Sequence, residues 1–239
     1  MTSVMTNVTA AASNGAKTNP DSGLGRCLRL SALQCERGDR VLFTALDLVV
    51  SEGQGLQLHG ANGSGKTSLL RIVAGLSQQY QGEVTWCGMD IQTNPFPLQQ
   101  DLLYLSHTPG VNRRLSAFEN LRWWAGIHAA HADTALIKQA LERVGLGVFL
   151  NTMAANLSAG QQRRIALARL FLSRHCLWVL DEPFTAIDAA GVEALEAQIA
   201  AHIRAQGMVI ITTHQTMQLS VFEHFYLHDM RVDLGLNES

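Results

Sequence analysis

The chain has 239 residues, a formal net charge of −2 at pH 7 and 47% hydrophobic residues. This composition is ample for a packed core, and the near-neutral charge gives no general electrostatic case for binding nucleic acid. The uncharged apolar runs are shorter than the ~18 residues that a membrane-spanning helix needs, so a role at a membrane would depend on partner subunits.

Residues 1–25 are rich in Thr, Ser, Ala, Asn and Gly and lack both periodicity and an apolar segment typical of a secretory signal. We predict a disordered leader here. An organelle transit peptide is the alternative, although no arginine precedes Arg26. The four cysteines form no C-x-x-C pair and are interpreted as small hydrophobic residues in a reducing compartment: Cys27, Cys35, Cys87 and Cys176.

Strand patterns follow the leader and end at a glycine-rich turn. The runs CLRLSALQC, RVLF and LDLVV predict three strands, and Gly55–His59 predicts a short buried one. An amphipathic helix is predicted over Lys66–Leu76, with Leu69, Leu70, Val73 and Leu76 on one side. The turn between the last strand and this helix reads Gly60-Ala61-Asn62-Gly63-Ser64-Gly65-Lys66-Thr67, followed by Ser68.

This turn matches the pattern G-x-x-x-x-G-K-[ST] in the context that its chemistry requires. Backbone N–H groups of such a turn surround a phosphate, and the helix N-terminus adds the positive end of its dipole. Lys66 would reach the outer phosphates and the Thr67 hydroxyl would bind Mg²⁺. The alternative is a glycine-rich turn that happens to precede a helix. We predict a nucleoside triphosphate site.

The middle of the chain changes character. Gly82–Trp86 and Asp101–Leu105 predict further strands, and Ser116-Ala117-Phe118-Glu119 is a capping box that opens a helix. A second helix is predicted over Asp133–Val144, and an α/β pattern returns after Gly160. The simplest interpretation is a nucleotide-binding α/β core interrupted by a helical insertion.

A second phosphate-site motif follows that insertion. Cys176–Glu182 is an apolar strand ending in two carboxylates. Asp181 would hold Mg²⁺ through water, as the strand beside a phosphate loop commonly does, and Glu182 would polarise the attacking water. The alternative is a strand that runs into a solvated acidic turn.

Leu157-Ser158-Ala159-Gly160-Gln161 opens the next helix, and Ser158 with Gln161 is consistent with plain helix capping. However, the order of phosphate loop, helical insertion, Leu-Ser-x-Gly-Gln and strand–Asp–Glu resembles that of ATP-binding cassette (ABC) ATPases, from about Arg26 to the C-terminal region. The resemblance implies an α/β P-loop NTPase core with an antiparallel β subdomain and a helical insertion subdomain. The implied single domain covers 26–235, with the core at 26–105 and 160–235 and the insertion at 106–159.

The resemblance also implies roles for residues outside the phosphate loop. In a homodimer, the helix start carrying Ser158, Gly160 and Gln161 would close over the γ-phosphate bound by the other subunit. Asp188 matches the dimer-contact loop of the family, and His214 matches a histidine that contacts the γ-phosphate. The implied catalytic residues are thus Glu182, His214 and Lys66, with ATP and Mg²⁺ as cofactors.

Two positions depart from the family pattern. Thr108 stands where the family has a glutamine that approaches Mg²⁺ and responds to the membrane partner. The family usually stacks adenine on an aromatic ring about thirty residues before the lysine, a region that here reads Cys35-Glu36-Arg37-Gly38. Arg37 would stack its guanidinium on the base, or it is a solvated loop arginine.

Longer strings narrow the resemblance: LSAGQQRR from Leu157, LDEPFTAID from Leu180 and TTHQ from Thr212. They are similar to the ATP-binding export proteins of bacterial cytochrome c biogenesis (Ccm). This implies an ATP-hydrolysing subunit on the cytoplasmic face of the inner membrane, bound to membrane-spanning subunits and acting indirectly on a haem chaperone.

The alternatives are an ABC ATPase for another small molecule or lipid, or an ABC protein acting on DNA or ribosomes. The last class needs a coiled-coil insertion or a second cassette, and the sequence has neither.

Overall fold

The computed structural model describes residues 25–38, 40–128, 133–185, 187–215 and 221–227. Nearly all of the predicted leader and the end of the predicted domain beyond residue 227 lie outside these described residues. The strands are β1 (Cys27–Arg37), β2 (Arg40–Ser51), β3 (Gly55–His59), β4 (Gln81–Trp86), β5 (Met89–Asp90), β6 (Leu102–Leu105), β7 (Leu177–Asp181), β8 (Met208–Thr212) and β9 (Phe222–Tyr226). The α-helices are α1 (Lys66–Val73), α2 (Phe96–Asp101), α3 (Ala117–His128), α4 (Thr134–Arg143), α5 (Ala159–Ala168) and α6 (Ala189–Arg204).

A five-stranded parallel sheet forms the centre, in the order β6-β7-β8-β3-β9. All residues of β7 and β8 are buried, as expected for strands covered on both faces. Because the strands are parallel, their carboxyl ends meet at one edge, where ligands of such sheets bind. That edge carries the loop after β3, the acidic end of β7 and the end of β8.

A second sheet is antiparallel, in the order β2-β1-β4-β5. The runs RVLF and LDLVV, predicted as two strands, form the single strand β2. The register between β1 and β2 shifts at several places, and Ala32 and Ala45 each have a φ of +48°. Such irregularities let a strand bend without ending, which is why the two predicted runs belong to one strand.

Helix α1 lies in the core that joins the two sheets. Its buried residues Leu69, Leu70, Ile72 and Val73 belong to a cluster that includes Leu28 of β1 and Val179 of β7. The prediction that the helix continues to Leu76 is wrong. Gly75, at φ +68°, ends it: the N–H groups of Gly75 and Leu76 donate to the carbonyls of Ile72 and Arg71, and Leu76 is exposed.

The helices between β6 and β7 pack on the other face of the parallel sheet, in a cluster that includes Leu121, Ile137, Ile165 and Trp178. The predicted capping box at Ser116 is confirmed. Ser116 Oγ accepts from the Glu119 N–H at 3.1 Å, and Glu119 accepts from the Ser116 N–H at 2.8 Å. Helices α3 and α4 lie within 106–159, although the division of the chain into subdomains stays a prediction. Across the described residues, no helix combines the length and apolar character needed to cross a membrane.

Candidate nucleotide-hydrolysis site

Glycines shape the loop between β3 and α1. Gly60 has a φ of +152°, and a Cβ on it would lie 2.5 Å from Ser64 Oγ and 2.8 Å from the Leu227 carbonyl oxygen. Gly65, at φ +99°, occupies the N-cap of α1 and has no side chain to cap the first turn. The first N–H groups of α1 are therefore left for an external acceptor, which is how helix N-termini bind phosphate.

The Lys66 side chain folds back over this loop. Its Nζ donates to the carbonyl oxygens of Gly60 at 2.7 Å and Ala61 at 3.1 Å. Ser64 is 1% exposed, and its Oγ has no hydrogen-bond partner among the described residues. The Lys66 ammonium group thus donates to two neutral carbonyl oxygens. A phosphate oxygen is negatively charged and would form a stronger, charge-assisted hydrogen bond with it.

Asp181, at the end of β7, brings two hydroxyl groups together. Its side chain is 4% exposed, with Oδ2 accepting from Thr67 Oγ1 at 3.2 Å and Oδ1 accepting from Thr212 Oγ1 at 2.8 Å. A carboxylate beside a hydroxyl, both at the rim of a pocket, is an oxygen donor set that suits Mg²⁺. The residues present therefore fit the predicted metal roles of Thr67 and Asp181.

Glu182 follows Asp181 with a backbone conformation that is uncommon for its residue type. Its φ is +50°, and its N–H donates to both the carbonyl oxygen and Oγ1 of Thr212, each at 3.1 Å. A residue held in this region costs about 1–3 kcal/mol and persists only where its surroundings determine it. The Glu182 carboxylate lies 3.5 Å from His214 Nε2, so two of the three predicted catalytic side chains are neighbours.

These groups surround a cavity of about 430 Å³. It is lined by predicted site residues together with three residues of the antiparallel sheet region: Asn62, Gly63, Gly65, Lys66, Thr67, Ser68, Asp181, Glu182, His214, Arg37, Arg40 and Leu42. Arg37, the candidate for base stacking, thus lies at the site. Arg40 and Leu42 were missed by sequence reasoning, and only their place in the hairpin just after Arg37 could have indicated them.

A second cavity of about 410 Å³ adjoins the first, sharing Lys66 and His214 with it and including Gly60 in its lining. His59 and His224 also line it, with His59 Nε2 2.8 Å from His224 Nδ1. Burial, then the neighbouring His224 and Lys66, lower the pKa of His59.

The residues around Ser158 lie apart from the phosphate pocket. Ser158 and Gln161 form the predicted capping box of α5, with bonds of 3.2 and 2.9 Å between the side chain of each and the N–H of the other. Gly160 lines a separate cavity that it shares with Glu182. Asp188 caps α6 by accepting from the Gly191 N–H and lies 3.2 Å from Arg164. Within the described chain, these residues do not reach the phosphate loop of their own subunit.

Arg163, on α5, is a residue that sequence reasoning missed. It is 5% exposed, and its Nη2 donates to the carbonyl oxygens of Asp181 at 2.7 Å and Glu182 at 3.1 Å, while Nη1 donates to the Ser106 carbonyl. Burial lowers the pKa of Arg163, and the Asp181 and Glu182 carboxylates oppose that shift. Only its proximity to the LSAGQ string could have drawn attention to it.

The stretch after β6 places His107, rather than Thr108, nearest to Asp181. His107 Nδ1 lies 3.8 Å from Asp181 Oδ2, whereas Thr108 is exposed and its carbonyl accepts from Ser106 Oγ at 2.8 Å. His107 is therefore a second candidate for the coupling role that was predicted for position 108.

A phosphate loop on a parallel sheet, with an Asp–Glu pair at the end of a strand of the same sheet, defines a P-loop nucleotide hydrolase. The family model described as ABC transporter matches residues 43–185. The chain is 48% identical over 204 residues to the cytochrome c biogenesis ATP-binding export protein CcmA of Pasteurella multocida, covering 85% of this chain and 96% of that protein. It is also 48% identical over 190 residues to CcmA of Vibrio vulnificus, covering 80% of this chain and 93% of that protein.

A solved structure of the ATP binding subunit of an ABC transporter superposes with a TM-score of 0.73, covering 84% of this chain and 87% of that one. At 20% identity, this likeness shows the fold. The chain belongs to the ABC transporter ATP-binding family and, within it, groups with the cytochrome c biogenesis export ATPases. The predicted fold class and the prediction of a transport-coupled ATPase are confirmed.

Proposed function

We propose that this chain is the ATP-hydrolysing subunit of an inner-membrane ABC complex for cytochrome c maturation, powering haem export or the release of a haem chaperone. The observation that carries the ATPase part is the convergence of Lys66, Thr67, Asp181 and Glu182 on one cavity. The assignment to cytochrome c maturation is supported by the 48% identity to cytochrome c biogenesis export proteins, which covers almost their full length.

Within the site, the roles follow from charge and position. Lys66 and the N–H groups of the loop bind the outer phosphates of ATP. The Glu182 carboxylate accepts a hydrogen bond from the attacking water and polarises it. Thr67 and Asp181 would hold Mg²⁺, which would neutralise negative charge on the bound phosphates. His214, which lies 3.5 Å from Glu182, would donate to a γ-phosphate oxygen. Arg37 offers a planar cation to the base.

We further propose a homodimer in which each subunit completes the other's site. The residues of this helix start, Ser158, Gly160 and Gln161, do not line the phosphate-loop cavity of their own subunit. In the dimer they would meet the γ-phosphate bound by the second copy. Asp188, fixed by Arg164 and by its cap on α6, would contact the same partner. The complex would lie at the cytoplasmic face of the inner membrane, bound to membrane-spanning subunits.

Affinity purification from detergent-solubilised membranes tests the cargo system. We expect membrane-spanning cytochrome c assembly subunits to copurify with the wild-type chain in an amount similar to its own. Recovery of the membrane subunits of a different exporter would redirect the proposal to another small molecule or lipid. Recovery of ribosomes or DNA without any membrane subunit would refute it.

Coupling to the membrane partner is tested at positions 107 and 108. A glutamine at position 108 has a longer arm with both donor and acceptor groups, so Thr108→Gln should leave ATP binding nearly unchanged. It should raise partner-stimulated ATPase activity about fivefold, the effect of ~1 kcal/mol of coupling free energy. The measurement is ATP turnover with and without reconstituted membrane subunits.

His107→Gln is the matched variant, since it places the same amide one residue earlier, beside Asp181. If the stimulation rises only in the position-107 protein, the coupling contact belongs there. If neither variant changes the stimulation of an assembled complex, this segment does not carry the coupling.

A further inference from the structure

Arg163 connects three segments of the site through one guanidinium group. From α5 it reaches the carbonyl oxygens of Asp181 and Glu182 at the end of β7, and the carbonyl oxygen of Ser106 after β6. A planar guanidinium has five N–H donors in fixed directions, so it can bind several carbonyls at once, which a lysine ammonium on a flexible stem does less specifically.

The hydrogen bond from Arg163 to the Glu182 carbonyl oxygen affects the direction in which the Glu182 carboxylate points. The N–H of Glu182 is bound by Thr212, and its carbonyl oxygen is bound by Arg163. Both peptide groups that flank its Cα are therefore fixed while φ stays at +50°. The backbone conformation sets which side-chain rotamers are allowed, so a change at either contact would redirect the carboxylate.

We propose that Arg163 is a positioning residue for ATP hydrolysis: it fixes the backbone of Glu182, and with it the carboxylate that polarises water, relative to the Ser158 helix. The inference rests on the proposed role of Glu182. It adds a physical link between the helix that closes over a partner's nucleotide and the base of its own subunit, because Arg163 lies on the same helix as Gly160.

Two neighbouring arginines of the same segment have different partners, and one of them provides a control. Arg164 pairs with Asp188, which has a proposed role in the dimer. Arg169 is mostly buried like Arg163, but its Nη2 donates to the Gly110 carbonyl at 2.8 Å. Burial lowers the pKa of Arg169 to about 10. Arg169→Lys therefore perturbs a buried guanidinium without touching Asp181 or Glu182.

The experiment compares Arg163→Lys and Arg163→Gln with Arg169→Lys in the full-length protein. ATP turnover, the Kd for MgATP and the thermal unfolding midpoint are measured for each. Because a small misplacement of a reacting group costs about 10²-fold, we expect kcat to fall roughly 10- to 100-fold in both Arg163 variants. The Kd should change by less than about threefold, and Arg169→Lys should keep its turnover.

A double-mutant cycle distinguishes a positioning role of Arg163 from a general loss of stability. In the Glu182→Gln background, Arg163→Lys should lower the residual turnover by less than about twofold, since the group that it positions no longer acts as a base. Normal turnover of folded Arg163→Lys would overturn the proposal, as would an equal loss in the Glu182→Gln background. Unfolding of Arg163→Lys at the assay temperature would also count against it.

These results are distinguishable from a failure of the proposed function. If the wild-type protein and its assembled complex hydrolyse no ATP, the ATPase assignment itself fails. If the wild type is active and the Arg163 variants match it, only the role of Arg163 is lost.

Discussion

The Lys66→Ala protein is expected to lose ATP hydrolysis by about 10³-fold or more and to bind MgATP weakly. Removing one preorganised group that stabilises developing negative charge typically costs 10²- to 10³-fold in turnover, and Lys66 carries a full charge into the phosphate loop. Its Nζ contacts the carbonyls of Gly60 and Ala61, whose loss leaves the buried core untouched. The fold should therefore survive. Steady-state ATPase assays and nucleotide titration provide the measurement.

Lys138→Ala is the matched control, because Lys138 lies on the exposed side of α4. It should retain wild-type turnover and affinity. A folded Lys66→Ala protein that still hydrolyses ATP at the wild-type rate would contradict the nucleotide site as a whole.

The Glu182→Gln protein should separate chemistry from binding. If Glu182 acts as a general base, its conversion to the isosteric amide costs roughly 10²- to 10⁴-fold in turnover. The backbone contacts with Thr212 and Arg163 do not involve the carboxylate, so the local conformation should be kept. ATP binding should therefore persist, and the protein should accumulate as a nucleotide-bound dimer, measured by single-turnover kinetics and light scattering.

Glu193→Gln, at an exposed position of α6, controls for the loss of one negative charge. We expect normal turnover from it. The role of Glu182 is wrong if its glutamine variant hydrolyses ATP normally, or if that variant stays monomeric with MgATP where the wild type dimerises.

The phosphate loop was predictable because its geometry is local. A strand, a glycine-rich turn and a helix follow one another in the chain, and the residue types at Gly60 and Lys66 are required by backbone conformation and charge. The acidic end of β7 was predictable for a related reason. Parallel strands end at a common edge, so an apolar strand followed by Asp181 and Glu182 points to the same site as the loop.

Local patterns were less informative where the chain bends or ends an element without a strong signal. The runs RVLF and LDLVV were predicted as separate strands, yet pairing with β1 on both sides of Thr44 and Ala45 makes them one strand. The apolar side of α1 suggested an extension to Leu76, whereas the hydrogen bonds around Gly75 end the helix earlier. In both cases tertiary pairing or capping outweighed periodicity.

The sequence was enough to indicate the P-loop class and the order of motifs that marks the ABC family, and it predicted four residues that line one cavity: Lys66, Thr67, Asp181 and Glu182. Each depends on residue types at fixed local spacing. Only the tertiary structure revealed that Arg163 binds the carbonyls of Asp181 and Glu182, and that His107 approaches Asp181. Every residue has a backbone carbonyl, so a guanidinium that binds carbonyls can pair with any residue type. The spacing of residue types in the sequence therefore cannot predict its partners. Their position depends on how α5 packs across the end of β7, which is decided when the core forms.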